Sequence, residues 1–573
     1  MNLSMSSFLR AMLKDVAPEK NFEIINMGTT AVAGFPIIYM AEDALNYDPD
    51  LIISYTGNNE FFGAYGTASI NSSGTFSPGF LKVVRWFNGL GMIQALNHYT
   101  ERKPEGNLTL MEQMIGETSI PFDSGLREAA AANLEYSLGE ISRMCMDAGV
   151  PLILCTTASN ESGLYPMGSD DNDDLAEDVK KEIKKNISEA TEILDSDPAS
   201  AVKLLNEVLS KDPENAGATF LLAKATLNSG DKTAASKTFI RARDLDKMPW
   251  RPISLTEDAI RKTAKITGAV LCDIAGEFRK LSPAGASGWD LLDDHVHLSL
   301  RGQAEAAKLM TRSILGMQKN LNFRVVYPDS IGSWEEYALE LGSNLYDKYR
   351  VDHTMRVLFN VSFLKRTNEA AFKRYNNEIL TAEAKMSSGV LQTVREWQTE
   401  IPHAGGLRPI CGMVAKTLVR EKRFEEALEC FRIARGQVPH YTSWYLEYVY
   451  FSFALKVSLN KKIENSDLDE ARAAIQQGRF LLRNGYTETG LTERYTGRLH
   501  QLRGEWEEAI PYLLAARTRM TNEDLMAVDQ ALFLSYTQTG KFAEARSLVE
   551  EGVRSGSRFR QEYLKMLASL QKK

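Results

Sequence analysis

A chain of 573 residues with 44% hydrophobic and 25% charged side chains has a globular composition, and at about 150 residues per domain it holds roughly four domain-sized units. Its 67 Lys and Arg against 75 Asp and Glu leave a net charge of −8, which offers phosphate backbones no attraction, so nucleic acid is not an expected partner. No apolar run approaches the ~20 residues that span a bilayer, and residues 1–20 carry no signal-peptide block, so the chain as given reads as soluble.

Taken in order, residues 4–14 read as a helix, with Ser4, Ser6 and Ser7 at its start in a capping role. Phe22 to Met27 (FEIINM) reads as a buried strand ending at Gly28. A helix follows from about Pro36 to Tyr47, and Asp48-Pro49-Asp50 turns the chain into a second strand, LIISYT, ending at Gly57. Residues 80–99 form an amphipathic, slightly basic segment that reads as a surface helix, with membrane contact or a lid as the alternatives. A long helix over 126–149 leads to a third strand, LILCTT after Pro151, and AVLCDIA at 269–275 reads as a fourth. Short apolar runs alternating with helices describe a parallel sheet covered by helices. The five cysteines are widely spread and never paired as C-x-x-C, so neither a disulfide framework nor a zinc site is expected. Buried free thiols are the reading for Cys155 and Cys272.

Between the third and fourth strands the pattern changes. An acidic then basic stretch, 170–186, reads as a solvated linker; its acidic run at 170–174 lacks the Gly and terminal Glu of a calcium loop. Ala201 and Leu205 then recur as Ala235 and Phe239, a shift of 34 residues, with Pro213 after the first helix. That period and those residue types resemble tetratricopeptide repeats. Near the C-terminus Gly504, Trp506 and Ala509 return as Gly540, Phe542 and Ala545, with Phe424 and Ala427 a weaker upstream copy. Stacked helix pairs leave a surface suited to extended partners, so a protein partner is expected there.

Three short segments could carry chemistry. Asp293-Asp294-His295-Val296-His297 places Asp294 three residues before His297, a spacing that lets a carboxylate hold an imidazole Nδ1; a solvated loop writes the same residues. Gly57-Asn58-Asn59-Glu60 follows the LIISYT strand, where ligands bind in open α/β sheets, though Asn and Gly are also common turn residues. Asn26-Met27-Gly28-Thr29-Thr30 follows the FEIINM strand, and its Gly could present a backbone N–H or merely turn the chain. Phe61, Phe62 and Tyr65 could line a pocket or pack the loop.

Together, Gly28, Gly57-x-Asn59-Glu60 and Asp294-x-x-His297 resemble the second, third and fifth blocks of the SGNH (GDSL-type) hydrolases. The resemblance covers about residues 1–169 and 250–320. It implies a three-layer α/β sandwich of flavodoxin-like type, cleavage of an ester substrate through a Ser nucleophile, His297 as general base, Asp294 as its orienting partner, and Gly28 N–H with the Asn59 side chain as oxyanion donors. No cofactor or metal is implied. The first block of that family, a Gly-x-Ser turn after a strand, has no counterpart here, so no nucleophile is nominated, and the parallel sheet is expected to lack its first strand. An N-terminal truncation is the expectation that follows. The whole then reads as a hydrolase-like domain over 1–169 and 250–320, a tetratricopeptide-like insertion at 170–249, and C-terminal tetratricopeptide-like helical repeats over 330–573. An interaction scaffold with an inactive hydrolase-like domain, and a carbohydrate O-acyltransferase, are the alternatives. Localisation stays open: membrane contact would come only through a segment upstream, which would make the longer form extracytoplasmic.

Overall fold

The computed structural model describes residues 3–69, 119–168, 172, 174–399, 407–438, 442–485 and 489–570. The amphipathic segment 80–99 lies outside them, as does most of the acidic run at 170–174. The chain divides into two compact units: Leu3–Ser343 with Val351–Ile379, and Asn344–Arg350 with Leu380–Lys573.

The first unit is built on three parallel strands, β1 (Ile52–Tyr55), β2 (Leu152–Cys155) and β3 (Val270–Cys272), in the order β1-β2-β3. Ile53 pairs with Ile153, and Cys155 with Cys272. All four residues of β2 are buried, as expected of a central strand covered on both faces. Its side chains alternate between two cores. Ile153 and Cys155 face the helices Met5–Val16 and Leu300–Gly316. Leu152 and Leu154 face Gly34–Leu45, Gly125–Asp147 and Ser254–Thr267. The helices expected at 4–14, 36–47 and 126–149 therefore exist with shifted ends, and Ser4 is the N-cap residue of the first. Its hydroxyl, however, meets Ser6 and Ser7 rather than capping an N–H. All five cysteines are buried and free.

The expected strand at Phe22–Met27 is not one. The segment is irregular, and none of the described strands pairs with it. Phe22 and Ile24 turn inward, Phe22 against Phe323 at 5.4 Å between ring centroids, while Ile25 is 67% exposed. Alternating apolar residues write a strand only where a neighbour takes the backbone N–H and C=O groups; without one, water does. The sheet is thus narrower than the flavodoxin-like sheet expected, and helices make up most of the described chain.

Between β2 and β3, ahead of the helix Ser254–Thr267 that covers the sheet, run the helices Glu177–Ile193, Pro198–Lys211, Ala216–Asn228 and Lys232–Leu245. Asp197, Asn215 and Asp231 each start one by accepting a backbone N–H two or three residues into the helix. The recurring Ala201, Leu205, Ala235 and Phe239 are all buried where neighbouring helices meet. The last of these helices is tied to the sheet side by buried charge. Arg243 Nη1 lies 2.7 Å from Glu161 Oε1 and 2.6 Å from Glu257 Oε1, and Arg279 bonds both carboxylates from the other side.

The second unit is a succession of helices from Ser388–Trp397 to Arg560–Leu570, neighbours packing in sequence order. Gly504 (φ +76°) and Gly540 (φ +75°) hold matching left-handed turns before the helices Trp506–Arg517 and Phe542–Arg554. Lys422 occupies the corresponding turn, at φ +61°, before Phe424–Gln437. Among the described residues no helix is long and apolar enough to cross a membrane.

Candidate functional site

The tight turn between Leu292 and Leu298, which form an antiparallel bridge, carries the Asp-x-x-His motif. Asp293 N–H donates to His297 O at 2.9 Å, and the Tyr375 hydroxyl reaches Asp293 O. Asp294 is fully buried and every oxygen is used. Oδ1 accepts the backbone N–H groups of Val296 (2.8 Å) and His297 (2.7 Å), and Oδ2 stands 2.6 Å from His297 Nδ1. Burial works against the Asp294 charge, but the two imidazoles and the backbone donors outweigh it and hold the carboxyl well below its ordinary range. The Asp294 charge in turn pushes His297 up to about 9. His297 remains 70% exposed at its side chain, so an outside group can reach it.

His295 contrasts with its neighbour. It is buried, and burial pushes it down to about 4, against the pull of Asp294. Its Nδ1 lies 3.4 Å from Asp294 Oδ1 without forming a hydrogen bond. Asp294, His295 and His297 keep their ligand atoms within 4.8 Å of one another, a donor set that suits a divalent cation. Asp294, however, already spends both oxygens on protein donors, so a cation would have to displace them.

The other two predicted segments meet one another near helix Gly34–Leu45. Ala33 N–H donates to Ala64 O and Ala64 N–H to Ala31 O, tying the stretch after Gly28 to the loop after β1. Ala31 (φ +62°) and Tyr65 (φ +68°) adopt left-handed backbone in these tied segments, strain of a kind often held near functional sites. Glu60 is buried, its Oε2 accepting the Gly34 N–H at 3.2 Å, and burial pushes its carboxyl up to about 7. Gly57 takes a left-handed φ of +128°, and a Cβ there would press on Leu134, Thr157 and Ile260 at 3.3–3.4 Å. Gly28 itself is exposed, and its N–H donates to Asn26 Oδ1 at 2.8 Å.

An aromatic chain links the Asn59 loop to the histidines. Phe61 contacts Phe62, Phe62 packs on Trp250 at 4.5 Å between centroids, Trp250 meets His295 edge-on at 6.1 Å, and His295 meets His297 at 5.9 Å. A run of ring contacts thus leads from the loop after β1 to the Asp294–His297 turn. Asn160, Trp250 and His295 escaped the sequence reading. Asn160 and Trp250 sit in no motif and stand 90 residues apart, and His295 looked like a spacer inside the Asp-x-x-His pattern.

Residues 192–249 match the tetratricopeptide repeat family. No curated protein matches the chain. Among solved structures, the P58(IPK) tetratricopeptide domain aligns at 12% identity over 63% of this chain and 99% of its own, with a TM-score of 0.17. Yeast Tom70 aligns at 14% identity over 78% of this chain and 74% of its own, with a TM-score of 0.20.

Proposed function

We propose that the chain works as a repeat-based protein-interaction scaffold. The observation that carries this is the tetratricopeptide match over 192–249, in which the residues that recur 34 positions apart form the buried contacts between helices. The helices of the second unit, from Ser388–Trp397 onward, repeat the same logic. Their first-of-pair helices touch through polar side chains: Arg498 meets the Tyr450 hydroxyl, and Arg494 pairs with Asp524. Arg494→Glu with Arg498→Glu breaks both contacts, so the thermal midpoint is expected to fall, and the still-folded variant is expected to lose capture of a discrete partner. Identical capture by wild type and variant would remove this face from the reading.

A second reading is favoured by one specific contact, Asp294 Oδ2 at 2.6 Å from His297 Nδ1. It is ester hydrolysis of the SGNH type by a domain formed from 1–169 and 250–320. His297 would take the proton of a Ser hydroxyl as that oxygen attacks the ester carbonyl, and return it to the leaving alcohol. Asp294 fixes the ring and stabilises the imidazolium. The Asn59 amide and the Gly28 N–H would receive the oxyanion, Gly28 after releasing Asn26. Because Asp294 holds His297 protonated to about 9, the rate should climb with pH toward that value. Turnover of p-nitrophenyl acetate is expected to drop about 100-fold or more in His297→Ala; absence of turnover, or turnover indifferent to that change, sinks the reading.

A further inference from the structure

Buried side-chain polar atoms with no partner in the protein gather where β1 and β2 end and where the Asp294–His297 turn meets them. Three of these belong to residues around a single ring: Asn160 Nδ2, Trp250 Nε1 and His295 Nδ1. Asn160 N–H donates to His295 O at 3.0 Å, and Asn160 O accepts Arg251 Nη1 at 2.9 Å. Trp250, next to Arg251, lies edge-on to the His295 ring. Every one of these residues is at least nine-tenths buried. A buried amide or indole N–H without an acceptor is costly to leave unmade, and two residues carrying such donors against one imidazole make a place prepared for an incoming acceptor.

The chemistry of that acceptor follows from the charges nearby. The Arg251 charge is paired with Asp246 at 2.9 Å, and its Nη1 donates to the Asn160 and Leu164 carbonyls while its Nε has no acceptor; Arg243 lies between Glu161 and Glu257. His297 is paired with Asp294. The charge of each of these three groups is already balanced by a carboxylate, and the buried Asp294 charge repels an anion. Phe62 against Trp250 supplies an apolar wall. The ring of His297, exposed and 5.9 Å from that of His295, marks the side open to solvent.

We infer that Asn160, Trp250 and His295 form a subsite for the carbonyl end of an uncharged acyl group, with the alkyl part against Phe62 and Trp250. The inference deepens the ester reading and rests on it for the reaction that would follow, not for binding. Trp250 lies just past the helical insertion, at its return to the sheet, so the insertion's exit segment helps set specificity.

The test is binding, measured on the full chain labelled with nitrogen-15. Trp250 is identified among the indole N–H resonances by its loss in Trp250→Phe. Triacetin, a neutral triester, should shift that resonance saturably, and sodium acetate at equal concentration should not. Ligand-observed saturation transfer should show triacetin bound about tenfold more weakly by Trp250→Phe, which keeps the ring packing, and by Asn160→Ala. No shift up to the solubility of triacetin, equal shifts from acetate, or undiminished binding by Trp250→Phe overturns the subsite. Binding without ester turnover leaves the subsite standing and counts against hydrolysis alone.

Discussion

Two histidines separated by one residue are driven in opposite directions by one carboxylate and by depth. His297 gains a charge partner, so its contribution to stability is complete below the ordinary histidine value near 6.5 and is lost as pH rises through about 9. His295 is buried as the neutral ring, so its contribution is complete above 6.5 and is lost as pH falls from there toward about 4. Urea midpoints recorded from pH 4 to pH 10 should therefore fall on both sides. His297→Ala should flatten the alkaline limb alone and His295→Phe the acid limb alone. A wild-type profile whose alkaline limb survives His297→Ala would show that Asp294 does not hold the imidazolium.

At the scale of elements, charge fastens the helical insertion to the sheet, and small residues or left-handed turns set the spacing of helix pairs. Arg243 bridges Glu161, after β2, and Glu257, on the helix Ser254–Thr267; its two guanidinium partners drive Glu257 down to about 2 in spite of burial. Arg243→Ala leaves those carboxylates with one bridging cation fewer and should cost about 3–5 kcal/mol in chemical unfolding, whereas Arg143→Ala, at an exposed pair with Asp147, should leave stability unchanged. Lys422 holds a left-handed turn that Gly504 and Gly540 hold without steric cost. Lys422→Gly should then stabilise the second unit by about 0.5–1 kcal/mol, read as a higher melting midpoint. These elements also show what the sequence made legible. Periodicity announced Ala201, Ala235, Ala509 and Ala545 as contact residues because a helix repeats its inward face at fixed intervals. The Asp294–His297 contact was legible because both partners sit on one turn. Phe22–Met27 was misread because its pattern reports which side chains face inward, not whether a second strand lies alongside. Asn160 and Trp250 were invisible because only the closed fold brings residues 90 apart against the same imidazole.

The whole molecule joins two kinds of structure in one chain. Its second unit is made of helices packed on their sequence neighbours, and so is the insertion in the first unit. The sheet is the opposite: Ile153 pairs with Val270 and Thr156 bonds Asp273 across 117 positions, with the entire insertion in between. Contacts between neighbours form on microsecond to millisecond scales, while pairing across such a span waits on closure of a long loop. A pre-folded insertion brings its two ends together and shortens that loop. The parallel strands then become the last part of the first unit to assemble, and the insertion serves as the template for its own host. Pulse-labelling hydrogen exchange during refolding should show amides of Pro198–Lys211 and Lys232–Leu245 protected before those of Leu152–Cys155. Arg243→Ala, which loosens the insertion from the sheet, should slow the strand phase without slowing the helical one. In kinetic terms the buried Arg243 is a clasp that sets when the sheet can close.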